Sequence, residues 1–427
     1  MRLNQVVCDR QVFGNGNDGL LFMGDSAGLN ESFITEHEDK VKLVYVDPPF
    51  FTGQDFYYKP RHDLDVTFDT YKDKWISVEG YISMLERVFN SAKRIMSEEG
   101  AIYVHVDYRV SAEVRLLLNR VFGRSNFVNE IIWHYKSGGT SRKHFARKHD
   151  TIFIYAKSSK YMLDLEAVGT KRGNEKRNNL KKNIDADGKI YYSIKSMGKT
   201  YIYHEDDLIF PSDVWDDIPN LNQKDPERLG YDTQKPEALL ERIILSSSNE
   251  GDIVADLFAG SGTTAAMAAK HNRKFIGVDM NRYSIQLMKS RVLKYCGDFT
   301  VKLGNIGTES ELELYLDKTN SGYKLNIMGY NAGSTVVANP AGFKQLGIND
   351  IPSGSHFSTQ EGCEENTETV MFLSAGYEQE GVYYPLDWSI RDRKGIDSSL
   401  RIPDRPYNIV VEVCDIYSNC NLFVLTV

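Results

Sequence analysis

Over its first 156 residues the chain alternates short apolar runs with amphipathic stretches. VKLVYV at 41–46 is rich in β-branched and aromatic residues and predicts a buried strand. Across 79–97, Ile82, Leu85, Val88, Phe89, Ala92, Ile95 and Met96 recur on one stripe, which predicts a helix. Gly100 follows as its stop signal. AIYVHV at 101–106 predicts a strand, residues 110–122 a helix, and IIWHY at 131–135 and TIFIYA at 151–156 two more strands. From 157 to 230 the chain is polar and shows no long period. Order returns at Pro236, where Leu239, Leu240, Ile243 and Ile244 predict a helix with proline in its first turn. A strand at 252–258, a Gly-Ser-Gly turn, an Ala-rich helix near 263–270 and a strand at 274–280 follow. Strands alternating with helices predict an α/β fold, a doubly wound and mainly parallel sheet. Beyond about 300 the chain turns rich in Gly, Asn and Ser, with apolar runs at 407–413 and 421–427. That texture predicts a separate, small, strand-rich C-terminal domain.

Charge sorts these regions. The whole chain carries a net charge of −8, yet residues 136–199 hold 16 Lys and Arg against six Asp and Glu. A solvated basic loop and a surface that tracks phosphates both fit that excess. Residues 300–427 hold nine basic and 17 acidic residues, which makes them a poor main contact for nucleic acid. The five cysteines form no CxxC pair, which argues against a zinc ribbon or a disulfide framework. No apolar run reaches membrane-spanning length, so a soluble cytoplasmic protein with no membrane partner is the expectation. His134, His144 and His149 lack carboxylate or cysteine partners at ligand spacing, so no metal is expected there.

Two glycine loops invite a nucleotide reading. GNGNDG at 14–19 has the G-x-G-x-x-G spacing, but the strand-like LLFMGD follows where a helix should open. It predicts a flexible turn. DLFAGSGTT at 256–264 does follow a strand and open a helix. Gly260 and Gly262 let the backbone approach a ligand, and the helix N-terminus offers free N–H groups. Asp279 ends the next strand, where an acid commonly holds ribose hydroxyls. Taken alone, this unit could serve NAD. Asp256, just ahead of the glycines, suits a ligand with an amino group better than a pyrophosphate. S-adenosyl-L-methionine (AdoMet) has that group.

Asp47-Pro48-Pro49-Phe50 resembles the D-P-P-[YF] signature of amino-group DNA methyltransferases, and Asp256-Leu257-Phe258-Ala259-Gly260-Ser261-Gly262 resembles their D-x-F-x-G-x-G loop. Thr233-Gln234-Lys235-Pro236 is similar to the segment that precedes that loop, and Asp25 in Gly24-Asp25-Ser26 to a short upstream acidic motif. Catalytic motif first, basic stretch next and cofactor loop last is the permuted order of the β group, which holds adenine-N6 and some cytosine-N4 enzymes. The resemblance covers roughly residues 18–300. It implies a Rossmann-like methyltransferase fold divided at 1–156, a target-recognition insert at 157–230, a cofactor-binding half at 231–300, and an unassigned domain at 301–427. It implies a site-specific enzyme acting on double-stranded DNA, with AdoMet held by Asp25, Thr233, Lys235, Asp256, Phe258, Gly260, Gly262 and Asp279. A homodimer and a companion restriction endonuclease are partners this reading allows.

An exocyclic amine is a poor nucleophile, because its lone pair is delocalised into the ring. Two fixed acceptors near its N–H bonds favour attack on the methyl group. The Asp47 carboxylate can be one, and the Pro48 carbonyl, aimed by two rigid residues without N–H donors, the other. The target base must leave the duplex, and Phe50 can stack on it. Trp133 or Tyr135 is a candidate for its opposite face. In this family Asp at the first position leans toward adenine. Cytosine N4, an NAD-dependent oxidoreductase and a non-catalytic DNA-binding module stay open as alternatives.

Overall fold

The computed structural model describes residues 4–6, 10–58, 68–136, 140–172, 180–222, 224–303, 311–319, 322–331, 370–380, 382–391, 396–397, 399–403, 409–415 and 420–425. Among them one sheet dominates. Its strands in chain order are β1 (Arg10–Phe13), β2 (Gly19–Met23), β3 (Val41–Val46), β4 (Met96–Val106), β5 (Phe127–His134), β6 (His149–Ala156), β7 (Val214–Trp215), β8 (Ile253–Asp256), β9 (Lys274–Asp279), β10 (Phe299–Lys302), β11 (Val370–Gln379), β12 (Val382–Ile390), β13 (Ile409–Asp415) and β14 (Cys420–Leu425), with Asn4–Val6 at the edge beside β14. In space the central order is β1-β10-β2-β9-β8-β3-β4-β6-β5-β7. From β10 through β4 every neighbouring pair is parallel. Strand β6 runs antiparallel to both β4 and β5.

Among the described residues six α-helices cover this sheet: α1 (Glu31–His37), α2 (Val78–Ile95), α3 (Ser111–Phe122), α4 (Glu237–Ser247), α5 (Thr263–Lys270) and α6 (Arg282–Val292). Helices α1–α3 pack with Val44, Val46 and Ala255 in one core. Helices α4–α6 pack with Leu43, Tyr45 and Val254 in the other. Adjacent strand residues thus point to opposite cores, and the sheet is doubly wound. Helix α2 shows why these segments fold locally. Ser77 caps it by accepting from Gly80 N at 3.2 Å, and Tyr81, Leu85, Val88, Phe89, Ala92 and Ile95 bury one stripe. Pro236 stands at the cap of α4, one position ahead of the expected first turn.

The polar stretch 157–230 holds an antiparallel meander of Lys181–Ile184, Ile190–Ser196 and Lys199–His204. It also supplies β7, which pairs with β5 at the sheet's far edge. The C-terminal strands extend the same sheet. β12 pairs with β1 through Arg10↔Val382 and Gln11↔Tyr383, and β11, β13 and β14 continue outward. A buried ion pair crosses this seam: Lys289 of α6 donates to Glu412 of β13 at 2.7 Å. Gln11 Nε2 at 2.6 Å and the Ser374 hydroxyl at 3.0 Å donate to the same carboxylate. Cys414, beside Glu412, is disulfide-bonded, an amendment to the cysteine reading, whereas Cys296 is free. Among the described residues no helix is long and apolar enough to cross a membrane.

Candidate active site

Strands β3 and β8 are parallel neighbours, with Tyr45 opposite Asp256. The loops that leave their C-terminal ends are therefore side by side, and these are the DPPF segment and the DLFAGSG segment. Strand β9 brings Asp279 to the same edge. In open α/β sheets ligands bind at this end of the strands. A pocket of about 980 Å³, open mouth included, lies there. Eleven of the twelve residues expected from sequence line it: Asp25, Asp47, Pro48, Pro49, Phe50, Thr233, Lys235, Asp256, Phe258, Gly260 and Asp279.

Gly262 is the exception, and its role is steric. It has φ +76°, and a Cβ there would lie 2.3 Å from Met288 Cγ of α6. It lets the loop turn sharply into α5 and lets α6 approach. Gly260, at φ +49°, lies on the pocket wall, where a Cβ would meet the Tyr231 ring at 3.3 Å. The first glycine motif, at 14–19, is a turn between β1 and β2, tied down by Asn17 N donating to Asp298 at 2.8 Å.

The acids are held in distinct ways. Asp256 is buried and accepts from Phe258 N at 3.0 Å and from the Thr264 hydroxyl at 2.5 Å. Burial pushes its carboxyl up to about 7, with Asp47 and Asp279 adding repulsion. Asp279 accepts from Gly260 N and Asn281 N, both at 2.8 Å. Burial raises its pKa as well. Asp25 caps a short turn by accepting from Ala27 N at 2.9 Å and stays exposed at the mouth. Three of these acids, with Asp47, give the pocket a negative lining, which disfavours a pyrophosphate and suits a cationic ligand. That chemistry fits AdoMet, whose sulfonium and ammonium are positive, and argues against NAD.

Asp47 is half-buried. Its Oδ2 accepts from the Lys235 ammonium, while its Oδ1 is buried and has no hydrogen-bond partner among the described residues. A buried carboxylate oxygen without a donor is costly to leave so. Lys235 thus stands against Asp47, its Nζ also 5.0 Å from the Phe50 ring. Beneath lies a polar chain. Tyr45 Oη contacts His105 Nδ1 at 2.8 Å, and His105 Nε2 contacts Asp150 at 3.2 Å. Tyr135 donates to Asp150 at 3.2 Å. Burial is the largest influence on Asp150 and works to raise its pKa, but His105, Lys235 and Tyr135 together outweigh it and the net shift is downward. Trp133 is buried and donates to the Ile218 carbonyl at 2.8 Å, so it belongs to the core and does not cover a base.

Two supports carry no motif signal. Asp73 is buried and accepts from Phe51 N at 3.0 Å, Thr52 N at 2.6 Å and Trp75 Nε1 at 3.1 Å. It clamps the loop that leaves Phe50, including Phe51 at φ +59°. Arg291 of α6, also buried, donates to the Thr263 hydroxyl at 2.8 Å, the Ser261 carbonyl at 3.2 Å and Glu237 at 2.8 Å. It ties the glycine loop to α4.

An acidic pocket at the strand ends, with a proline-framed acceptor beside a glycine loop, defines an AdoMet-dependent transferase acting on an amino group. Residues 41–290 match the family described as DNA methylase, and residues 237–352 match the D12 class N6 adenine-specific DNA methyltransferases. The first match spans more than half of the chain, and the protein belongs to the DNA methylase family. Its methyl donor is S-adenosyl-L-methionine. Similar proteins include DNA adenine methyltransferase YhdJ of Escherichia coli (strain K12), 30% identical over 66% of this chain and 84% of the relative. Type II methyltransferase M.EcaI of Enterobacter cloacae is 25% identical over 71% of this chain and 75% of its own. Among solved structures, the cytosine-N4-specific PvuII DNA methyltransferase is 17% identical, covering 65% of this chain and 89% of its own at a TM-score of 0.43.

Proposed function

We propose that this enzyme methylates the N6 amine of an adenine flipped out of double-stranded DNA, at a specific sequence, within a restriction-modification or marking system. The observation that supports the reading is the meeting of Asp47 and Pro48 in the wall of the pocket that the glycine loop and Asp279 also line. One N–H of the amine is received by Asp47 Oδ1 and the other by the Pro48 carbonyl. As both protons are drawn toward acceptors, the nitrogen loses conjugation with the ring and its lone pair turns toward the methyl donor. Lys235 fixes the Asp47 rotamer, so the acceptor is set before the substrate arrives. Phe50 supports the base by stacking. AdoMet supplies an electrophilic methyl group. Its amino acid end fits Asp256 and the glycine loop, and its ribose fits Asp279. Asp25, Thr233 and Phe258 complete the cofactor wall.

Adenine is favoured over cytosine by Asp at position 47 and by the adenine-specific family match over 237–352. Recognition of the target sequence falls to the meander at 181–204, which presents Lys181, Lys182, Lys189, Lys195 and Lys199 to solvent. A companion restriction endonuclease fits relatives described as type II methyltransferases or as Mod subunits of type III systems. A homodimer belongs to the same reading, and sedimentation of the full chain with DNA tests it. Nucleoside mass spectrometry of DNA incubated with enzyme and labelled AdoMet tests the reaction. N6-methyladenine is the expected product, and N4-methylcytosine as the sole product would overturn the assignment.

A further inference from the structure

Segment 140–148 joins β5 to β6. Strand β6 runs antiparallel to β4, with Val106 opposite Thr151, so this segment leaves the sheet at the edge where β3 releases DPPF. It carries Arg142, Lys143, Arg147 and Lys148 and no acid. At its centre Phe145 is 98% exposed.

The loop is anchored. Arg147 donates to the Tyr108 hydroxyl at 2.6 Å, and its guanidinium lies 4.1 Å from that ring. Arg109 lies 5.0 Å from the same ring. Tyr108 lies two residues past the end of β4, so a cation–aromatic cluster fixes the loop to the edge where the pocket opens. Among the described residues no apolar neighbour buries the Phe145 ring. An aromatic side chain so placed, with basic residues on both sides of it in the segment, matches a ligand with phosphates outside and stacked apolar faces inside.

We infer that Phe145 is a wedge that enters the duplex and fills the space vacated by the flipped base, while the surrounding cations grip the phosphates on either side. Apolar side chains inserted between base steps are a recurrent way to unstack DNA. The wedge holds the extrahelical state open by denying the base its return, whereas Asp47 and Phe50 act on the base once it is out. This inference rests on the DNA methyltransferase reading and assigns it a part outside the pocket.

The test uses the full chain and two cognate duplexes, one intact and one with an abasic site opposite the target base, where unpairing is already done. Phe145→Ala is expected to lower kcat/KM at least tenfold on the intact duplex and less than twofold on the abasic one, with AdoMet affinity unchanged. Phe145→Leu is expected to recover most of the loss. A fluorescent base analogue at the target position reports the extrahelical fraction, which should fall in Phe145→Ala with the same selectivity. Equal losses on the two duplexes, or no loss on either, overturn the wedge. Wild-type enzyme that methylates neither duplex overturns the methyltransferase reading itself, and the wedge with it.

Discussion

If Asp256 holds the AdoMet ammonium as proposed, cofactor binding is expected to depend on pH. Burial, followed by repulsion from Asp47 and Asp279, outweighs the hydrogen bonds from Thr264 and Phe258 N and pushes its carboxyl up to about 7. The ammonium of AdoMet is complementary only to the anion. With a pKa of about 7, roughly 1% of the carboxyl is ionised at pH 5 and half at pH 7. If the cofactor selects the anion, its Kd falls roughly fifty-fold over that interval, or about 2.3 kcal/mol. The gain levels off near pH 8, where an α-amino group begins to lose its own proton. Calorimetry at pH 6 in two buffers of different ionisation enthalpy should show close to one proton released per AdoMet bound. Asp256→Asn should bind weakly and without that slope. The sign for stability is opposite. The folded protein keeps a proton that the unfolded carboxyl, near 3.8, has lost. This group's contribution is full below about 4, is lost as pH rises through about 7, and is worth on the order of 4 kcal/mol. A wild-type Kd that is flat from pH 5 to 7, or binding without proton release, would refute the reasoning.

Replacing Asp47 with Ala should lower transfer by at least a thousandfold, about 4 kcal/mol in the barrier, while leaving AdoMet binding within a fewfold. Single-turnover methylation and calorimetry read the two separately, and retained activity would remove Asp47 from its role. Asp73→Ala leaves Phe51 N, Thr52 N and Trp75 Nε1 without their acceptor, so roughly 2–4 kcal/mol of stability is expected to go. Activity should fall through KM for DNA in the folded fraction, as denaturation curves and steady-state kinetics would show. Glu412→Ala strands the buried Lys289 ammonium and should cost about 3–5 kcal/mol by denaturant unfolding. Pairing it with Lys289→Met should recover most of that, which a purely local packing defect at Glu412 would not allow.

The parts of the site that could be read in the sequence are those that sit on one element. VKLVYV ends in DPPF, and IVAD runs into the glycine loop and α5, so strand, turn and helix signals coincide within a few residues. The parts that could not be read depend on distant pairing. Lys235 meets Asp47 across 188 residues, and its position beside the glycine loop gives no hint of that contact. Asp73 lies in a polar run between elements and looks like any surface acid until the chain folds around it. Helix α6 escaped because Lys289 and Arg291 fall on its buried face, where a binary pattern expects apolar residues. The meander within 157–230 is mostly exposed, so its strands carry little apolar alternation. The C-terminal runs were recognised as strands, but their attachment to β1 rests on two backbone pairs that leave no mark in composition.

That attachment changes what the C-terminal strands are for. Without them β1 would be the outermost strand on the cofactor side, with one row of backbone donors and acceptors bare. Bare edges recruit other edges. The extension from β12 outward therefore works as a cover against self-templated stacking of the catalytic sheet. A chain cut after residue 303 would keep every residue that lines the pocket, yet is expected to be lost to aggregates that grow from β1.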